Sequence, residues 1–118
     1  MRTCYYAHSV ALYGTSQETR DVALLESLGF SVVNPANRKH QDCYASKGGM
    51  EYFRPIVEAC DVLAFRSHVD LYIGAGVATE IGWAQNLNKP IIELPSIMSA
   101  RMIDIEQTRE YLREVGQR

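Results

Sequence analysis

The chain has 118 residues, 47% of them hydrophobic and 22% charged, with 12 basic against 14 acidic residues and a net charge of −2. One domain over residues 1–118 is expected, large enough to bury roughly two-thirds of its unfolded surface. The charge balance argues against binding a nucleic-acid polymer through bulk charge, and no apolar run approaches the roughly 18–20 residues of a membrane span. Cys4, Cys43 and Cys60 form no C-x-x-C pair, and the opening residues lack the apolar stretch of a signal peptide, so reduced thiols and a cytoplasmic location are expected.

In chain order, Thr3-Cys4-Tyr5-Tyr6-Ala7 reads as a short first strand, followed by a loop over residues 8–14. Thr15-x-x-Glu18 has the form of a capping box, in which the threonine oxygen accepts from the N3 amide and the glutamate reaches back. The helix it opens carries Val22, Leu25 and Leu28 on one face, with Leu24 beside them, and stops at Gly29. Phe30-Ser31-Val32-Val33 is a second strand ending at Asn34-Pro35. Residues 36–49 read as a long polar surface connection. A helix follows between Met50 and Ala59. Pro55 is comfortable only in a first turn, which moves its start to Phe53 or Arg54 and leaves Glu51 and Tyr52 in the loop.

Val62-Leu63-Ala64-Phe65 is a third strand, apolar throughout, as expected when both of its faces are covered. After a loop over residues 66–74, a helix from Ala75 to Leu87 buries Val77, Ile81 and Ala84, and Asn88-Lys89-Pro90 breaks it. Ile91-Ile92-Glu93-Leu94 is a fourth strand, Met102-Ile103 offers a short fifth, and a closing helix runs from Glu106 to Val115. Strands alternating with helices at this spacing predict βαβ units. The expected fold is a single α/β, Rossmann-like or flavodoxin-like three-layer domain, with a parallel sheet of four to five strands and helices on both faces. Such sheets bind ligands at the carboxyl ends of their strands, beside the switch in strand order. That points to the loops over residues 8–14, 34–49 and 66–76.

The sharpest local pattern is Gly74-Ala75-Gly76-Val77-Ala78-Thr79-Glu80-Ile81-Gly82-Trp83-Ala84. Glycines at a helix start let backbone amides approach a ligand at a positive helix end. Gly76, Glu80 and Trp83, at i, i+4 and i+7, share a face distinct from that of Val77, Ile81 and Ala84. Periodicity alone fits a solvated Glu80 equally well. With Tyr5-Tyr6-Ala7, Ala59-Cys60-Asp61-Val62-Leu63 and Asn88-Lys89-Pro90-Ile91-Ile92, this block resembles the nucleoside 2-deoxyribosyltransferase-like family, which includes nucleoside-monophosphate N-glycosidases. The resemblance covers roughly residues 3–94 and is most specific at the G-x-x-x-E-[IL]-G-x-A motif.

The resemblance implies that Glu80 attacks the sugar anomeric carbon and that Tyr6 orients Glu80 or lines the base pocket. It also implies a second carboxylate eight residues before Asp61, where this chain has Phe53. Glu51 ranks first as its replacement, with Asp42 and Asp70 on loops facing the same edge; a first-turn helix carboxylate explains Glu51 equally well.

His8 and Ser9 follow the first strand, where phosphate-using relatives hold a 5′-phosphate; Tyr13, Gly14 and Thr15 either complete such a cradle at a helix N-terminus or are plain loop polarity, with Thr15 acting only as a cap. Ser67 and His68 follow the third strand and are candidates for the same pocket, while the basic cluster Arg38-Lys39-His40 reads as a solvated loop or as a lid over an anionic ligand. Asn34 reads a base edge or simply makes a turn. No cluster has metal-ligand spacing, and neither a metal nor a cofactor is expected.

The first functional expectation is therefore an N-glycosidase or deoxyribosyltransferase acting on a small-molecule nucleoside or nucleoside 5′-monophosphate. The second is a non-catalytic nucleotide-binding or sensor module. A phosphoribohydrolase of the cytokinin-activating type is weaker, because Gly74-Ala75-Gly76 departs from that family's Gly-Gly-x-Gly-Thr loop. Trp83, Tyr52, Phe53 and Tyr72 are more large aromatics than the core obviously needs. With the resemblance, they predict a homodimer or homotetramer.

Overall fold

The computed structural model describes residues 1–46, 48–68, 71–95, 104–114 and 116. Four strands, β1 (Arg2–Ala7), β2 (Phe30–Val33), β3 (Val62–Phe65) and β4 (Ile91–Glu93), form one sheet in the order β2-β1-β3-β4. Every pairing is parallel: Cys4 lies opposite Val32 on one side and opposite Val62 on the other, and Ala64 opposite Ile92. The helices are α1 (Ser16–Ser27), α2 (Arg38–Ser46), α3 (Arg54–Ala59), α4 (Ala75–Asn86) and α5 (Ile105–Glu114). This is the expected three-layer Rossmann-like α/β architecture. Among the described residues, no helix is long and apolar enough to cross a membrane.

The two faces of the sheet follow from strand order. From β1 the chain steps outward to β2, then returns past β1 to β3 and β4. Right-handed crossovers taken in opposite directions place their helices on opposite faces. One core layer accordingly holds Cys4, Tyr6, Val62, Ala64 and Leu94 with Leu25 of α1. The other holds Tyr5, Ala7, Leu63 and Phe65 with Val57 of α3 and Val77, Trp83 and Ala84 of α4. Leu25 is fully buried, which contributes about 2 kcal/mol. Tyr5 and Tyr6, adjacent in sequence, thus enter different layers, because side chains alternate along a strand.

Most elements fall where the sequence puts them, including the α3 start at Arg54 with Pro55 in its first turn. Residues 36–49 differ, since they contain α2. Asn34 starts the reversal, its Oδ1 accepting from Ala36 N–H at 2.9 Å, and Gln41 Nε2 donates to the Pro35 carbonyl at 2.7 Å. Gly48, at φ 103°, makes the left-handed turn out of α2 that a Cβ would strain. Leu28, expected in the core, is 61% exposed, and Leu24 is exposed as well. The inward positions of α1 are taken by Asp21 and Leu25, and Leu28 caps the helix where the chain turns at Gly29. The closing helix spans Ile105–Glu114, and both its expected last residue, Val115, and the fifth strand expected at Met102-Ile103 lie outside the described residues.

Candidate active site

A cleft of about 300 Å³ opens at the carboxyl ends of β1, β2 and β3. It lies where the strand order reverses, as the topology requires. The segment after β1 contributes His8, Ser9, Val10 and Tyr13; that after β2 contributes Pro35, Gln41, Tyr44, Met50 and Phe53; and the start of α4 contributes Gly74, Gly76, Val77 and Glu80. Met50 and Phe53 reach it together because they lie three residues apart on a 3-10 turn over Gly49–Phe53, whose side chains at i and i+3 eclipse.

Glu80 is 5% exposed, which rules out a solvated helix glutamate. The Tyr5 hydroxyl donates to its Oε2. Burial pushes the Glu80 carboxyl up to about 7, and the Tyr5 hydrogen bond works against that rise. Burial first, and then the charge of Glu80, hold the Tyr5 phenol well above its usual range, so it stays a donor. Among the described residues lining the cleft, Glu80 is the one carboxylate, and no Lys or Arg lines it.

The tyrosine that orients Glu80 is therefore Tyr5, and the role given to Tyr6 is corrected. Tyr6 faces α1, where its hydroxyl donates to Asp21 Oδ2 at 2.6 Å. Arg66 clamps the same carboxylate with two hydrogen bonds of 3.0 and 2.6 Å and also donates to the Pro95 carbonyl at 2.6 Å. Burial opposes ionisation of Asp21, but the bonds from Arg66, Tyr6 and Gln17 outweigh it and hold its carboxyl below the usual range. This network ties α1 to the ends of β1 and β3.

The other expected residues divide. His8, Ser9, Gly74 and Gly76 line the cleft. His8 Nδ1–H donates to the Tyr6 carbonyl at 3.0 Å, and its Nε2 meets Glu18 Oε2 at 2.6 Å. Ser9 Oγ accepts from Ala11 N–H. Gly14 and Thr15 do not line the cleft. Thr15 Oγ1 accepts from Glu18 N–H at 3.3 Å, as a capping box requires, but Glu18 Oε1 reaches Gly14 N–H at 3.2 Å because Thr15 N–H already serves the Leu12 carbonyl. The α1 N-terminus thus carries its own carboxylate where the cradle was expected to hold phosphate.

Glu51 is exposed and is not among the residues lining the cleft of its own chain, unlike its neighbours Met50 and Phe53. Asn34 uses its side chain in the turn, and Ser67 is half-buried outside the lining. Asp70 lies outside the described residues. Phe53 and Trp83 are buried in the core, with the Arg54 guanidinium over the Trp83 ring, and Tyr52 meets His40 Nδ1 at 3.0 Å. Of the four aromatics behind the expected assembly, Tyr72 is the one mainly in solvent.

Sequence reasoning missed Tyr5, Gln41, Tyr44, Met50 and Val77 as site residues. Strand alternation offered the choice between Tyr5 and Tyr6 but not its answer. Gln41 and Tyr44 lay hidden in a segment without apolar periodicity. Among the described residues, no group of His, Cys, Asp and Glu is placed to hold a metal. No protein-family model matches this sequence, and no curated protein is significantly similar to it.

Proposed function

We propose that this chain cleaves the base–sugar bond of a nucleoside or nucleoside 5′-monophosphate, as an N-glycosidase or deoxyribosyltransferase, with Glu80 as nucleophile. The observation that carries the reading is the buried Glu80 carboxylate, hydrogen-bonded by Tyr5, in a cleft at the switch in strand order. Near neutral pH a carboxyl titrating at about 7 is partly ionised, and its desolvated anion is a stronger nucleophile than one in water. Tyr5 fixes the orientation of the attacking group. Attack at C1′ expels the base and leaves a glycosyl ester, which water or a second base resolves.

The cleft suits one sugar and one base, lying at the small end of ligand pockets of roughly 300–1,000 Å³. Pro35, Tyr44, Met50 and Phe53 form an apolar wall against which a base stacks. The Gly74 and Gly76 backbone at the α4 N-terminus gives the sugar or its 5′ end a close approach.

A non-catalytic nucleotide-binding module is the second reading. It is favoured by Phe53, which stands at the expected acid position and packs into the core. Incubation with a panel of nucleosides and their 5′-monophosphates, with free base detected chromatographically and a second base added in parallel, separates hydrolysis, transfer and binding alone. The resemblance also implies a homodimer or homotetramer. Light scattering at micromolar concentration measures this, a single copy being 13.3 kDa.

A further inference from the structure

The proposed cleavage leaves a chemical requirement unmet. A departing base carries away the electron pair of the C1′–N bond and needs a proton or a strong hydrogen bond. The cleft's one described carboxylate is the nucleophile itself. Tyr5 is committed to Glu80, and both His8 nitrogens are engaged, by the Tyr6 carbonyl and by Glu18.

Tyr13 lines the same cleft, half-buried, its ring 5.0 Å from that of His8. Gln41 lines the cleft with it, and the Gln41 side chain favours the charged form of the Tyr13 hydroxyl. The Gln41 amide is itself held in place through its 2.7 Å bond to the Pro35 carbonyl. An amide that favours the phenolate eases release of the phenol's proton, and a phenol has one O–H to give. We propose, resting on the glycosidase reading, that Tyr13 donates the proton to the leaving base and that Gln41 is its positioning residue.

The electrostatics favour the timing. Burial, followed by the charges of Glu80 and Glu18, pushes the Tyr13 hydroxyl up to about 12, while the Gln41 side chain works in the other direction. At rest the group therefore holds its proton. As a Glu80 oxygen bonds to C1′, the carboxylate loses its charge, and the largest of the charge repulsions that keep the Tyr13 proton in place disappears. The C1′–N bond breaks, its electron pair goes to the base nitrogen, and the Tyr13 proton follows. Water then attacks C1′ and frees Glu80 while one of its protons returns to the phenolate. Atoms and charges balance without any further reactant.

The test compares two substrates. An ordinary purine nucleoside needs a proton on its leaving base, whereas an N7-methylated purine nucleoside, already cationic, leaves as a neutral base without one. Tyr13→Phe is expected to slow base release from the ordinary substrate about 100-fold and from the methylated one less than about threefold. Its thermal midpoint should stay near wild type. Equal slowing of both substrates, or of neither, overturns the role. Should Tyr13→Phe fail to fold, Gln41→Leu keeps the phenol and removes the amide that aims it; it must slow the ordinary substrate more than the methylated one, and equal effects again overturn the proposal. Wild-type protein that releases base from neither substrate overturns the glycosidase reading, and this role with it. That result is distinct from an active wild type with no substrate selectivity in the variants.

Discussion

The Tyr5 hydroxyl donates to Glu80 Oε2 from β1 to α4, whereas the hydroxyl of the next residue, Tyr6, donates to Asp21 on the opposite face of the sheet. Two neighbouring tyrosines thus serve different purposes, one holding Glu80 from behind the cleft lining and one in the scaffold. The Tyr5 bond favours the charged form of Glu80. Tyr5→Phe should therefore raise the Glu80 pKa further and move the acidic limb of kcat/KM upward by about one pH unit. Tyr6→Phe should leave that limb in place and cost about 1–3 kcal/mol in urea unfolding, the worth of a hydrogen bond to a charged group. A pH–rate profile of the two variants checks the assignment.

Glu80 also makes stability depend on pH. Its folded pKa of about 7 lies above the unfolded value of 4.5. Between those values the folded chain binds more protons than the unfolded one, so this group's contribution is full below 4.5, declines as pH rises to about 7, and then levels off. Glu80→Gln removes that slope. Unfolding by urea at pH 5 and pH 7.5 should show the wild type losing on the order of 2–3 kcal/mol relative to the variant across this window. Parallel curves for the two proteins would mean that Glu80 titrates normally.

Gly76 separates fold from function. A Cβ there would meet Met50 Cε at 3.7 Å, an ordinary contact, so the fold accepts alanine. Gly76→Ala should leave stability unchanged or raise it by up to about 1 kcal/mol, through a less flexible unfolded chain. The same methyl enters the cleft and should raise KM about tenfold or more. A variant that is equally stable and binds equally well would remove Gly76 from the ligand surface.

Asp21 and Arg66 make the opposite kind of prediction. Asp21→Ala leaves the Arg66 guanidinium buried without its carboxylate. The expected cost is about 3–5 kcal/mol, seen as a lower midpoint in denaturant. Activity per folded molecule should change little, because the network lies in the layer facing α1.

Local signals made much of this architecture legible. The Thr15 cap, the apolar run at residues 62–65, Pro55 in a first turn and the glycines before α4 each state a backbone preference that no tertiary contact overrides. The topology then locates the cleft without side chains. Face assignment was not legible in the same way. Whether Tyr5 or Tyr6 meets Glu80 depends on the parity of β1 relative to the helix layers, and both residues are equally apolar and equally β-prone. Helix α2 was hidden because its inward positions are His40, Gln41 and Cys43 rather than a leucine stripe. The exposure of Leu28 was missed because Asp21, a charged residue, occupies a core position by virtue of Arg66, a partner 45 residues away.

The most direct test of the account is base release by wild type and by Glu80→Gln on a panel of nucleosides and nucleoside 5′-monophosphates. The wild type should release free base from at least one class. Glu80→Gln, folded and still able to bind the same ligand, should release none above background. Wild-type protein that binds a nucleoside or nucleotide without cleaving it, or a folded Glu80→Gln that turns over at the wild-type rate, would contradict the assignment of Glu80 as nucleophile.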